Sequence, residues 1–302
     1  YDKSPWDRSG RYLLCLATET PLQALTGTEV ARIELVDLQA SPGTPPRILA
    51  ETRAWCWQQG SMLQWLPGAE DRLIIYNQLQ DDRFVAIIQD VWTGEQRVLS
   101  RPIYALSPNG REAVSVNFSR LAWARPGYGY PALPDPWRQV SAPEDDGIYR
   151  VDLESGESQM LFSLAQLAAT QPDDRMADCY HWFNHLQYNA DGSRFLFLHR
   201  WGPPGMFRQT RLYTAQPDGS HRYLVSDHDM VSHFDWLGRD QILAWARRHG
   251  VGDRYFLFRD RSSDFQVLGE EVFNCDGHCS FSPDEQWLMT DTYPNREHIR
   301  TL

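Results

Sequence analysis

A short unit recurs along the chain: an aromatic or apolar residue, a turn such as Ser-Pro-Asn-Gly or Asn-Ala-Asp-Gly, then an apolar strand. The copies are PWDRSGRYLLCLA from Pro5, QWLPGAEDRLIIYN from Gln64, ALSPNGREAVSVN from Ala105, QYNADGSRFLFLH from Gln187, DWLGRDQILAWA from Asp235 and SFSPDEQWLMTD from Ser280. An Asp-Gly or Asn-Gly turn joins two antiparallel strands as a tight hairpin. A second hairpin follows in most copies, as in FVAIIQDVWTGEQRVLS and GIYRVDLESGESQMLFS. Each unit therefore supplies four short strands, and a spacing of about forty to sixty residues matches a β-propeller blade. The expected fold is all-β, a β-propeller of four-stranded antiparallel blades in a single domain over 1–302. About five and a half blades are visible, and a complete ring of roughly seven is expected. A β-sandwich leaves the repeated four-strand unit unexplained. Helix is scarce, with SLAQLAAT, Ser163 to Thr170, as the best candidate.

Composition narrows the partners. A net charge of −11 argues against nucleic acid. An acidic sugar would need a local cluster of Arg, His or metal. No run of about 18 apolar residues exists, so no membrane span is expected. The opening YDKSPWDRSG shows no basic-plus-apolar leader, and the compartment is left open. Five cysteines are an odd number and too few for a disulfide scaffold. A monomer is expected.

Three histidines stand at one place in successive units: His185 in HLQYNADGSRFLFL, His233 in HFDWLGRDQILAW and His278 in HCSFSPDEQWLMT. Each precedes an aromatic residue by three positions. On consecutive blades, residues in register converge at one rim. Two long loops map to that rim, Ala124 to Asp146 and Ala169 to Asn184, and long ordered loops often carry function.

The residues allow two chemistries. In one, His233, His278 and Asp276 bind a divalent metal, Zn or Mn, with His185 nearby. In the other, His185 and His199 form a base and acid pair, since imidazole titrates near neutrality. The plainer alternative is that these histidines hydrogen-bond loops around a channel mouth. Arg120, Arg125 and Arg200 are candidates to pair with a carboxylate. Tyr128 and Tyr130 in PGYGY either stack on sugar rings or pin the loop. Cys179 and His181 have ligand-like spacing. No G-x-S-x-G elbow, phosphate loop or dinucleotide fingerprint appears.

The SPNG, NADG and SPDE hairpins resemble the repeats of TolB-like propellers. WQQGSMLQWLP, RPGYGY, HWFNHLQYNADGSRFLFLHRW, VSHFDW and DGHCSFSPDEQWLMTDTYP resemble a propeller group that includes oligogalacturonate lyases and propeller-type ulvan lyases. That resemblance spans nearly the whole chain. It implies metal-assisted β-elimination on an acidic oligo- or polysaccharide, by a periplasmic or secreted protein. It makes His233 and His278 the metal ligands and His185 the candidate base; on the lyase reading His185 and His199 act as acid and base and Arg200 as a carboxylate clamp. Arg120, Tyr128 and Tyr130 would then bind substrate. The strand-end positions of the second unit hold Gln59 and Asn77 rather than a His pair. Cys179 and His181 are then candidates for a structural metal. The competing expectation is a TolB-like propeller that binds a carbohydrate or protein and catalyses nothing.

Overall fold

The repeated turns close with the same main-chain hydrogen bonds. A computed structural model of the chain describes residues 3–206 and 209–294. In it, Ser107 N donates to Glu112 O, and Gly110 N to Ser107 O. Asn189 N donates to Arg194 O, and Gly192 N to Asn189 O. Ser282 N donates to Trp287 O, and Glu285 N to Ser282 O. The fourth turn residue is left-handed each time, with φ of 68° at Gly110, 72° at Gly192 and 59° at Glu285. Glycine reaches that region freely, whereas a residue with a Cβ is strained there.

These turns generate successive antiparallel meanders. The first sheet holds β1 (Tyr12–Ala17), β2 (Ala31–Asp37) and β3 (Arg47–Thr52) in that order. The second holds β4 (Gln64–Trp65), β5 (Leu73–Gln80), β6 (Arg83–Asp90) and β7 (Gln96–Leu99). The third holds β8 (Ala105–Leu106), β9 (Glu112–Ser115), β10 (Gly147–Asp152) and β11 (Ser158–Ser163). The fourth holds β12 (Tyr180–Tyr188), β13 (Phe195–Gly202), β14 (Gln209–Ala215) and β15 (Tyr223–Ser226). The fifth holds β16 (Val231–Leu237), β17 (Gln241–Arg248), β18 (Gly252–Arg259) and β19 (Phe265–Val267). A last pair, β20 (Ser280–Phe281) and β21 (Leu288–Met289), begins a sixth sheet. The fold is thus all-β, built of the four-stranded antiparallel blades that define the β-propeller class.

Two short helices interrupt the strands. The expected one is α2 (Leu164–Thr170), capped by Ser163 and Gln166 in a reciprocal capping box. The unexpected one, α1 (Phe118–Ala124), starts on Asn117, whose side chain accepts from Arg120 N. Seven residues, FSRLAWA, are too few for helical periodicity to stand out from a strand end.

Packing groups the chain into two compact units, Tyr1–Trp182 with Pro203–Met206, and Phe183–Gly202 with Phe207–Leu302. In the first unit a core gathers Ile33 and Leu35, Ile74 and Tyr76, and Val85 and Ile87. In the second, Leu196 and Leu198, Ile242 with Ala244 and Ala246, and Phe256 and Phe258 form another. The i, i+2 spacing puts each group on one face of its strand. Leu243, Trp245 and Tyr255, on the opposite faces, pack into a separate cluster. Strands covered on both faces explain why β13 reads as a nearly unbroken apolar run.

Candidate functional site

In the second unit, two of the three aligned histidines meet. The ring centroids of His233 and His278 lie 4.1 Å apart. His233 enters on β16, within a bulge between Val231 and Phe234. His278 stands just before β20. Its main chain is held close, because a Cβ on Gly277 would fall 1.7 Å from Asp291 O. Only glycine permits that approach. Buried Tyr255 reinforces it, bonding through its hydroxyl to Gly277 O at 2.9 Å and to Thr290 Oγ1 at 2.8 Å. Burial raises the pKa of this phenol, which keeps it neutral.

Each imidazole is tethered by a carboxylate. His233 Nδ1 lies 3.0 Å from Asp276 Oδ1, and Ser232 Oγ donates to Asp276 Oδ2 at 2.7 Å. His278 Nδ1 lies 2.9 Å from Asp291 Oδ1, which also accepts from His278 N at 2.6 Å. An ionised carboxylate only accepts, so a neutral imidazole held this way carries its proton on Nδ1. The Tyr293 hydroxyl lies 3.4 Å from His233 Nε2, and its ring sits 5.8 Å and 5.7 Å from the two imidazoles. The His233 and His278 side chains are 10% and 23% exposed, so the pair is largely desolvated yet reachable. This arrangement provides two oriented bases beside a phenol, a set suited to proton transfer.

A divalent metal fits this donor set only in part. Carboxylate-held imidazoles are typical of metal ligands, but Asp276 is turned to His233 Nδ1 and Ser232, a supporting position. Among the described residues no group of three or more His, Cys, Asp or Glu side chains is placed to hold an ion. That holds also for Cys179 and His181, both buried.

The remaining expected site residues lie elsewhere. The His185 ring meets Phe234 edge-on, with centroids 6.2 Å apart, and its backbone is left-handed at φ 53°. His199 is fully buried (0% exposed) among the rings of Phe183, Trp201 and Tyr213. A buried ring has no access to a substrate, so His185 and His199 do not form an accessible acid–base pair. Arg200 is also buried, and its Nη2 donates to Val231 O at 3.0 Å. That bond anchors the start of β16 and replaces the expected carboxylate clamp.

In the first unit, Arg120 is 1% exposed. Its Nη1 donates to Asp135 Oδ2 at 3.1 Å and to Trp137 O, its Nε to His181 O at 2.6 Å, and its Nη2 to Val140 O and Ser141 O. With every nitrogen engaged, the guanidinium pins the 125–146 loop and has no capacity for substrate. Burial drives its pKa down, opposed by Asp135 and Asp146. Asn117 Nδ2 bridges Asp135 and Asp146, and burial pushes the Asp146 carboxyl up to about 6. Tyr130 is likewise interior, stacked on Phe118 at 4.3 Å and accepting from Asn77 Nδ2. Tyr128 stays partly exposed, lining a cavity of about 100 Å³ with Trp57, Leu25, Pro126 and Pro131. Of the two expected loop tyrosines, Tyr130 pins the loop and Tyr128 alone faces open space.

Sequence reasoning missed Tyr293 and Ser232. A signal existed for the tyrosine: it follows the strand-end pair Asp291 and Thr292 in TDTYP. None of the five cysteines is in a disulfide bond.

No family model and no curated protein matches the chain. Solved structures do resemble it. TolB from Acinetobacter baumannii aligns at 16% identity and a TM-score of 0.48, over 96% of this chain and 59% of that one. A prolyl endopeptidase aligns at 14% and 0.49, over 87% of this chain and 34% of its own. The uncomplexed acylaminoacyl peptidase of Pyrococcus horikoshii aligns at 11% and 0.48, over 95% and 42%. The chain thus spans less than two thirds of each of these proteins. The neighbours are TolB-like propeller proteins, and they transfer no activity and no residue role. The fold assignment rests on the chain's own sheets.

Proposed function

We propose that the chain is a polysaccharide lyase that cleaves a uronate-containing saccharide by β-elimination at the His233–His278 pair. One observation carries this reading: two adjacent imidazoles, each held at Nδ1 by its own carboxylate, with a phenol at their open edge. An imidazole Nε2 removes the C5 proton of the uronate. The C4–O bond breaks as the C4–C5 double bond forms, and the Tyr293 hydroxyl gives its proton to the departing oxygen. The imidazolium then returns a proton to the phenolate. Asp276 and Asp291 stabilise the imidazolium that arises, as a carboxylate does for any oriented histidine base.

The test is incubation with oligogalacturonate or ulvan, with and without chelator, read by the ultraviolet absorbance of unsaturated uronate. Absorbance should rise in both conditions and fail to rise with His233→Ala. No rise on any uronic substrate sinks the proposal. A second reading, a binding propeller without catalysis, is favoured by one finding. Arg120, Tyr130 and His199, all candidates to touch substrate, are built into the interior. Saccharide binding without turnover would support it.

A further inference from the structure

A second imidazole pair lies outside the site just described. His228, between β15 and β16, and His249, after β17, face each other edge to ring with centroids 4.8 Å apart. Arg248 is the last residue of β17. Its guanidinium stacks on Phe265 with its carbon 3.9 Å from the ring centroid, and its Nη1 donates to His228 Nε2 at 3.4 Å.

Charge pairing sets Arg248 apart. Around it, Arg211 pairs with Asp227, Arg247 with Asp253, Arg254 with Glu270 and His249 with Asp229. Among the described residues Arg248 has no carboxylate partner; its neighbours are an imidazole and an aromatic ring. The Arg248 side chain is half-buried, so a charge on it is screened less than on an exposed arginine. Burial together with Arg248 and His249 lowers the pKa of His228, opposed by nearby Asp227 and Asp229, which favours a neutral ring beside the guanidinium. An aromatic platform holds the guanidinium plane while its remaining N–H groups stay available, the geometry that receives a planar oxyanion.

Resting on the reading of His233 and His278 as the reaction centre, we propose that Arg248, with His228 and His249, is an oxyanion subsite for the carboxylate of a further sugar residue of the same acidic saccharide. Both groups lie where β16 begins and β17 ends, and Arg247 N donates to Met230 O across that end. Five residues of chain put His228 within roughly 17 Å of His233, a distance a short oligosaccharide spans.

The test is calorimetric binding of oligogalacturonate to the full chain, to Arg248→Gln and to His249→Ala, with thermal midpoints recorded. A neutral oligosaccharide serves as control and inorganic sulfate as competitor, at ionic strength matched with chloride. Binding should weaken about tenfold in Arg248→Gln, the loss of one charge-assisted contact, with an unchanged midpoint. Sulfate should compete with the saccharide on the native chain and lose that effect in the variant. Unchanged affinity in Arg248→Gln, equal affinity for the neutral sugar, or no competition by sulfate overturns the proposal. Arg248-dependent binding without any unsaturated product would refute the lyase reading and leave the subsite standing.

Discussion

Two polar clusters, one in each unit, use similar residue types to opposite ends. Around Arg120 every guanidinium nitrogen is taken, by one carboxylate and four carbonyls, and the group is sealed from solvent. Around His233 and His278 the carboxylates take only the Nδ1 side, and both rings keep some solvent contact. A cluster sealed from solvent fixes a loop; one that keeps solvent contact can meet a ligand. Burial and saturation together separate structural from chemical polar groups better than residue type does.

The largest effect expected from this contrast is on stability. Arg120→Ala leaves Asp135 and four carbonyls stranded and should cost about 3–5 kcal/mol, the range for breaking a buried ion pair. Urea titration reads it. A loss under about 1 kcal/mol would mean that the cluster is not a structural lock.

Next comes activity. His278→Ala should lower the elimination rate at least about a hundredfold, the low end for a positioned base, while shifting the urea midpoint little. A variant that loses stability and keeps activity reverses the assignment of the two clusters.

A pH effect follows in the first unit. Burial pushes the folded-state Asp146 carboxyl up to about 6, above the ordinary 3.8. The folded state therefore holds the proton more tightly. Stability from this group is present at low pH and falls as pH rises between about 4 and 6. Asp146→Asn should remove that slope and gain about 2 kcal/mol at pH 8. Denaturation at pH 4, 6 and 8 checks it, and an unchanged slope refutes it.

The smallest effect concerns a turn. Glu285→Gly relieves a left-handed backbone at φ 59° but gives up the bond from Gly238 N to Glu285 Oε1. The two terms oppose, so the thermal midpoint should move by no more than the equivalent of about 1 kcal/mol.

The blades were legible because their turns repeat in letters as they do in hydrogen bonds. SPNG, NADG and SPDE mark the same main-chain closure. Register also brought His233 and His278 together correctly. For His185 the letters did not show its left-handed backbone or its edge-on contact with Phe234, the neighbour of His233 in sequence. Burial was not legible for Arg120 in α1, for Tyr130 in the loop that follows it or for His199 within β13, because letters do not show which side chains the fold seals. The partners Asp276 and Asp291 lie 43 and 13 residues from their histidines, so their pairing depends on how β16 and β20 come together.

The reach of Arg120 has a consequence for synthesis. Its Nε bonds a carbonyl 61 residues further along the chain, at His181. At roughly 5–20 residues per second, that acceptor leaves the ribosome on the order of several seconds after the arginine. Until then the guanidinium is a hydrated charge beside an unanchored loop. The last bond of this guanidinium therefore waits for the first strand of the fourth blade, β12, to be made.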